Sequence, residues 1–339
     1  MTGSFTATQL WQDARDIPDV LAATLDEREG FAELAALLRA DGTRRVVVTG
    51  NGAAYYVGLA LQCAALAGGS GPAVLALPAG LLAGGDVAWR EGDVVLVVSS
   101  SGELRDVLAV RDRLPRPLAV LTATAGSSIG RSADVLAVTR VHSTSGATHT
   151  QSLAANHAAV LAIWAEVTGD ASLRTAVAAT PELCAGALDA APEWADRALV
   201  GVDVPPAATA FGTGAAWPAA LEAALLLKEV AGVAAEGMET REGATSGMYA
   251  LRPGHLVVAL PSGPADPLAD DAAQVCRATG ATVVTLPGGP SGDRRVASLT
   301  TFPAALALAA ALGGRAGIDV DDPDWQAAYY ATTRLPGTR

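Results

Sequence analysis

The chain has 339 residues, half of them hydrophobic and 17% charged, which is long enough for two domains of about 150 residues and too apolar for a disordered chain. Thirty-five acidic against 23 basic residues leave a net charge of −12, which speaks against a nucleic-acid partner, since phosphate-backbone affinity rests on Lys and Arg. No apolar run is expected to reach the length of a membrane span, and MTGSFTATQLWQDARD lacks the basic and apolar blocks of a secretory leader, so no membrane contact and a cytoplasmic location are expected.

In chain order, residues 1–40 hold two helical patches, LWQDARDIPDVLAATLDE and EGFAELAALLRA. RRVVVTGNGAAYYVGLALQCAAL then reads as a strand, a glycine turn at Gly50 to Gly52, and a helix with small residues at its start. GDVVLVVSSSGELRDVLAV reads as a buried strand, a serine turn and a helix, and LAVLTATAGSS as a further strand and turn. TPELCAGALDAAPEWADRAL is an amphipathic helix. After it the same order returns in ATAFGTGAAWPAALEAALLL, GHLVVALPSGPADPLADDA and ATVVTLPGGPS. Gly50 to Gly212, Ser101 to Ser262 and Thr122 to Thr285 are separated by 162, 161 and 163 residues, so one fold is written twice. Strands alternating with helices predict an α/β fold, each copy a parallel β-sheet flanked by helices. The boundaries expected are a lead-in over 1–40, a first domain over 41–180, a connecting helix over 181–200, a second domain over 201–318 and a tail over 319–339.

Two places carry chemistry. Ser99, Ser100 and Ser101 follow a buried strand and precede ELRDVLAV, where unpaired amides and the helix dipole suit an anion such as a phosphate monoester. An ordinary serine cap on a turn gives the same string. Glu222 and Glu229 stand seven apart on one face of AALEAALLLKEVAG, where burial would raise their pKa values into the range of a general acid/base. A solvated helix face is the other reading. Lys228 is the only lysine in the chain, through either compositional bias or a chemical demand at that place. His149 offers a second acid/base group or a plain hydrogen-bonding residue. Cys63, Cys184 and Cys276 are scattered and read as reduced core residues. No metal or redox cofactor is implied: there is no ligand cluster, and GNGAAYYVG lacks the third glycine of a dinucleotide fingerprint.

The ordered series GNGAAYYVGL, VVSSSGELRDV, LTATAGSSIGRSAD, TSGATHTQS, AALEAALLLKEVAGVAAEG and GIDVDDP resembles the double SIS-domain (sugar isomerase) phosphosugar isomerases, in particular the isomerase half of glucosamine-6-phosphate synthase and the fructosamine-6-phosphate deglycase. The resemblance covers nearly the whole chain but no glutaminase domain. It implies two tandem SIS domains, each a flavodoxin-like three-layer sandwich, a homodimer with shared active sites, and a sugar phosphate as ligand. It places Ser99, Ser100 and Ser101 on the phosphate, Gly50, Gly52 and Ala54 in the first turn beside it, and Ala147, His149 and Thr150 in a segment closing over the sugar. Glu229 takes the role of proton carrier, with Glu222 and Lys228 beside it, and the tail from 319 reaches towards the active site. The resemblance also implies that the stretch with Arg241 and Glu242 helps form the partner subunit's site.

The sequence departs from the family at several positions. Ala53 and Ala54 stand where a phosphate-binding serine is found, Leu104 replaces a threonine, and Gln151 and Leu226 replace lysines. Thr245 stands in place of the ring-opening histidine, and Ala328 near the Schiff-base lysine; neither can do that chemistry. Three functions stay open: an isomerase or deglycase acting on an amino- or keto-sugar phosphate, a sugar-phosphate-binding sensor without turnover, and an enzyme turned to a specialised sugar with a smaller anionic group.

Overall fold

Runs such as RVVVTG, DVVLVV and LAVLT are β-branched and apolar without alternation, the pattern of strands covered on both faces. In the computed structural model, which describes residues 5–143, 148–263, 265–287 and 292–333, they enter two parallel sheets. The first holds β1 (Arg45–Gly50), β2 (Ala73–Pro78), β3 (Asp93–Val98), β4 (Leu118–Thr122) and β5 (Val135–Val138), in the order β2-β1-β3-β4-β5. The second holds β6 (Ala207–Gly212), β7 (Ala234–Glu239), β8 (Leu256–Leu260) and β9 (Thr282–Thr285), in the order β7-β6-β8-β9.

Register shows how each face is closed. Val48 of β1 lies beside Ala76 of β2 and Leu96 of β3, and Gly58 of the helix Ala53–Gly68 sits over this row: a Cβ there would come within 3.1 Å of Val48 and 3.4 Å of Ala76. On the opposite face Val95, Val97, Leu118 and Val120 pack against Ala79, Leu82, Val107 and Leu108. In the second sheet Phe211 and Ala259 meet Ala244, Ala272, Ala273 and Cys276. The other face takes the helix Trp217–Glu229, so close that a Cβ on Gly237 of β7 would stand 2.6 Å from the Leu221 Cα.

The chain divides into two compact units, one of residues 1–18, 145–150 and 179–324, the other of 19–144, 151–178 and 325–339. The first sheet lies in the latter, the second in the former. The strand order β7-β6-β8-β9 repeats β2-β1-β3-β4, and Gly50 and Gly212 close the matching strands β1 and β6. The repeat also extends to a pair that the sequence does not reveal: β2 and β7 each run directly into a six-residue helix, Ala79–Gly84 and Thr240–Thr245.

Three local details differ from or refine the sequence reading. LWQDARDIPDVLAATLDE is two helices, Gln9–Arg15 and Ile17–Leu25, the first capped by Thr8 Oγ1, which accepts from the Trp11 amide. Asp321, in the C-terminal stretch, accepts from the amides of Gln9 and Leu10 at 2.8 Å each. A membrane-length apolar helix does occur: Arg294–Ala316 is long and apolar enough to cross a bilayer, but 94% of its apolar window is buried in the protein, as expected of a central core helix. Cys184 and Cys276 are buried thiols, and Cys63 is half-buried.

Candidate functional site

In a parallel α/β sheet, ligands bind beyond the carboxyl ends of the strands, at the point where strand order reverses. In the first sheet that point lies between β1 and β3, and it is occupied by the glycine turn and the serine loop. Gly50 cannot carry a side chain: a Cβ would stand 2.7 Å from Ala54 Cβ and 2.9 Å from the Val98 carbonyl. Gly52 has φ +53° and opens the helix that begins at Ala53, with Ala54 in its first turn. Asn51 ties the glycine turn to two short helices. Its amide nitrogen donates to Asp106 Oδ2 at 3.1 Å, and its Oδ1 accepts from the Ala79 amide at 3.2 Å.

The serine loop is organised differently from the helix start expected for it. ELRDVLAV yields only a four-residue helix, Arg105–Leu108, with Leu104 extended before it, so the loop does not sit on a helix N-terminus. Two of its hydroxyls are committed inward: Ser99 Oγ accepts from the Gly102 amide at 3.1 Å and Ser101 Oγ from the Glu103 amide at 3.3 Å. The Ser100 carbonyl accepts from the Ala123 amide and from the Thr122 and Thr124 hydroxyls, at 3.2, 3.1 and 3.3 Å, which pins the loop to the end of β4. Ser100 Oγ donates to Ser152 Oγ at 2.7 Å. Ser152 lies in the first turn of the helix Thr150–Thr168 and is buried; no motif or spacing pointed to it. Gln151, at a position where the resemblance expects lysine, accepts the amides of His142 and Ser143 at 2.8 and 3.0 Å.

The second constellation lies in the other unit. The helix Trp217–Glu229 presents Glu222 inward, buried, with its Oε2 lacking a hydrogen-bond partner among the described residues. Desolvation, then the nearby Glu229 charge, push the Glu222 carboxyl up to about 8 against the opposing pull of Lys228. Glu229 is partly buried, and Thr148 Oγ1 donates to its Oε2 at 3.4 Å. Burial raises its carboxyl to about 7, opposed by that hydrogen bond and by Lys228. Lys228 itself is exposed. The structure therefore brings together Glu222 and Glu229, with Thr148 as a partner the sequence reading left out.

Of the remaining candidates, Thr150 is buried and its hydroxyl has no partner among the described residues, while His149 is half-buried. Ala147 lies outside the described residues. Thr245 is exposed on the short helix Thr240–Thr245, and its hydroxyl donates to the Arg241 carbonyl at 2.7 Å. Ala328 lies in the helix Gln326–Thr333.

No protein-family model matches the chain. Over 290 residues it is 30% identical to the glutamine–fructose-6-phosphate aminotransferase (isomerizing) of Aeropyrum pernix; the match takes 79% of this chain and 45% of that protein, so the chain spans less than half of its relative. Among solved structures, the C-terminal domain of glucosamine-fructose-6-phosphate aminotransferase from Francisella tularensis superposes with a TM-score of 0.79 at 18% identity, covering 93% of this chain and 98% of that one. Tagatose-6-phosphate ketose/aldose isomerase from Escherichia coli gives 0.74 at 16% identity, with 94% and 96% covered. Glucosamine-6-phosphate deaminase from Thermotoga maritima gives 0.68 at 20% identity, with 90% and 97% covered. The chain thus has the α/β fold of these phosphosugar enzymes and is similar in sequence, over most of its own length, to part of an isomerizing aminotransferase.

Proposed function

We propose that the chain is a double SIS-domain protein that binds a sugar phosphate at Ser99, Ser100 and Ser101 and moves a proton between adjacent carbons of an amino- or keto-sugar, in the manner of an aldose/ketose phosphate isomerase or a fructosamine-phosphate deglycase. The observation that carries the reading is Glu229, a carboxyl raised by burial to near neutral pH on a helix whose only other acid is raised further. A group balanced between its two forms takes a proton from one carbon and returns it to the next. The Thr148 hydroxyl donates to this carboxylate.

At the serine loop, no hydrogen bond among the described residues engages the amides of Ser100 and Ser101, and these are the donors assigned to the anionic group. Ser99 and Ser101 act by holding the turn; their hydroxyls shape the cradle from within. The assembly proposed is a homodimer, with the stretch around Arg241 contributing to the partner's site, and the location proposed is the cytoplasm. Calorimetry with phosphorylated and unphosphorylated forms of the same sugars tests the cradle. Binding that requires the phosphate and weakens at least tenfold in Ser99→Ala supports it; equal affinity for both forms removes the phosphate role.

A second reading is favoured by two specific positions. The Thr245 hydroxyl is committed to the Arg241 carbonyl, and Ala328 has no side-chain amine, so neither a ring-opening base nor a Schiff-base lysine stands where the family has them. A binding protein without turnover needs neither. Ligand binding without exchange of the carbon-2 hydrogen would establish that alternative.

A further inference from the structure

Glu222 is the most deeply buried acid of the helix Trp217–Glu229, and its surroundings are arranged unlike those of a charged group. Ala219 and Leu226, one turn before and after it, and Ala223 next to it are buried and apolar. Leu226 stands where the resemblance expects a lysine, so the cation that would balance a carboxylate one turn on is gone. The elements packed on the helix do not replace it: β6 and β8 carry no charged residue, and β7 carries only Glu236 and Glu239, which add negative charge. The helix Ala297–Ala316 carries only Arg315, whose guanidinium donates to the Leu199 carbonyl at 2.9 Å. Lys228, on the same helix, is exposed, and the neighbouring acid is Glu229. A bare carboxylate oxygen buried in such a place is costly, whereas a carboxylic acid keeps its proton and has an O–H to give.

We propose that Glu222 is carried as the neutral acid and donates a hydrogen bond to an oxygen acceptor of the ligand, so that this position selects a carbonyl or hydroxyl oxygen over a protonated amine. The inference rests on the sugar-phosphate reading for its ligand, but not for its protonation state. A carboxylate would attract an ammonium group; the neutral acid gives that up and gains a directional donor. Among sugar phosphates, the position therefore favours the keto- or hydroxy-sugar over its amino counterpart.

The test has two arms. In ligand-free protein labelled with 13C at the glutamate side-chain carboxyls, Glu222→Gln assigns the resonance, and wild type is expected to show that carboxyl still protonated at pH 7. In the second arm, affinity for a ketose 6-phosphate and for the matching 2-amino-2-deoxy sugar 6-phosphate is measured across pH. Wild type prefers the ketose and loses that preference as Glu222 ionises; Glu222→Gln, an amide donor, weakens ketose binding about threefold with a flat pH profile, and Glu222→Ala weakens it about tenfold. Titration at the ordinary carboxylate pH, or a Gln variant as weak as the Ala variant, overturns the proposal even where wild type binds sugar phosphates. Wild type that binds neither sugar phosphate overturns the parent reading and the ligand role together, whatever the titration shows.

Discussion

Gly102 has φ +63°, and a Cβ on it would stand 1.9 Å from Ser127 Oγ and 2.4 Å from Ser127 Cβ, so this residue allows the serine loop to turn under the end of β4. Both conformation and space demand glycine. Gly102→Ala is expected to destabilise the protein by about 3 kcal/mol, read as a lower midpoint in urea unfolding. An unchanged midpoint would mean that the loop rearranges freely and is no preformed cradle. At this scale the sequence was informative where chemistry is local: three consecutive serines after an apolar run, and two glutamates at helical spacing, were visible in the string. Ser152 was not. It meets Ser100 from 52 residues away, through the placement of the helix Thr150–Thr168, and no spacing rule spans such a contact.

The carboxylate pair is only as well placed as the helix that carries it. Gly237 of β7 lies against the backbone of Ala220 and Leu221, where an added Cβ would come within 2.8 Å of the Ala220 carbonyl and 2.6 Å of the Leu221 Cα. Gly237→Ala therefore pushes the helix Trp217–Glu229 off its sheet. It is expected to cost about 1–3 kcal/mol in thermal or urea unfolding and to lower any proton-transfer activity more than Gly58→Ala does. The strands β1, β3, β4 and β8 were legible because doubly covered strands are largely apolar runs, and β6 and β9 because they stand at nearly the same offset from β1 and β4. The pair β2 and β7 was not legible as a repeat: AVLALP and AAEGME share no pattern, since β7 is an edge strand whose Ala234 and Glu236 face outward. The length of the helix after the serine loop was misjudged for a related reason. The Ser99 and Ser101 hydroxyls take the amides of Gly102 and Glu103, and local side-chain bonds of this kind compete with helix formation.

Buried titratable groups link the whole chain to pH in two opposite ways. Glu222, raised from 4.5 to about 8, holds its proton in the folded chain while the unfolded chain releases it, so its unit loses stability as pH rises through that window. His157, pushed down from 6.5 to about 4 by burial, gives the contrary slope: its contribution is complete above 6.5 and is lost as pH falls towards 4. Glu222→Gln is accordingly expected to melt higher than wild type at pH 8 and close to it at pH 4.5, with the gap growing by about 1.4 kcal/mol per pH unit between the two, as followed by calorimetric scans. Equal melting temperatures at pH 8 would show that Glu222 is not an acid held protonated by the fold.

The repeated topology, the similarity to the Aeropyrum pernix aminotransferase and the fold shared with sugar-phosphate enzymes support the proposed ligand; the proposed chemistry depends on Glu229. The direct measurement is NMR of aldose and ketose 6-phosphates incubated with the protein in deuterated water. The account predicts deuterium entering at carbon 2 with wild type, and exchange at least a hundredfold slower with Glu229→Gln in a variant that still binds the ligand. Exchange at the wild-type rate in Glu229→Gln, or tight binding by wild type with no exchange at all, would contradict it.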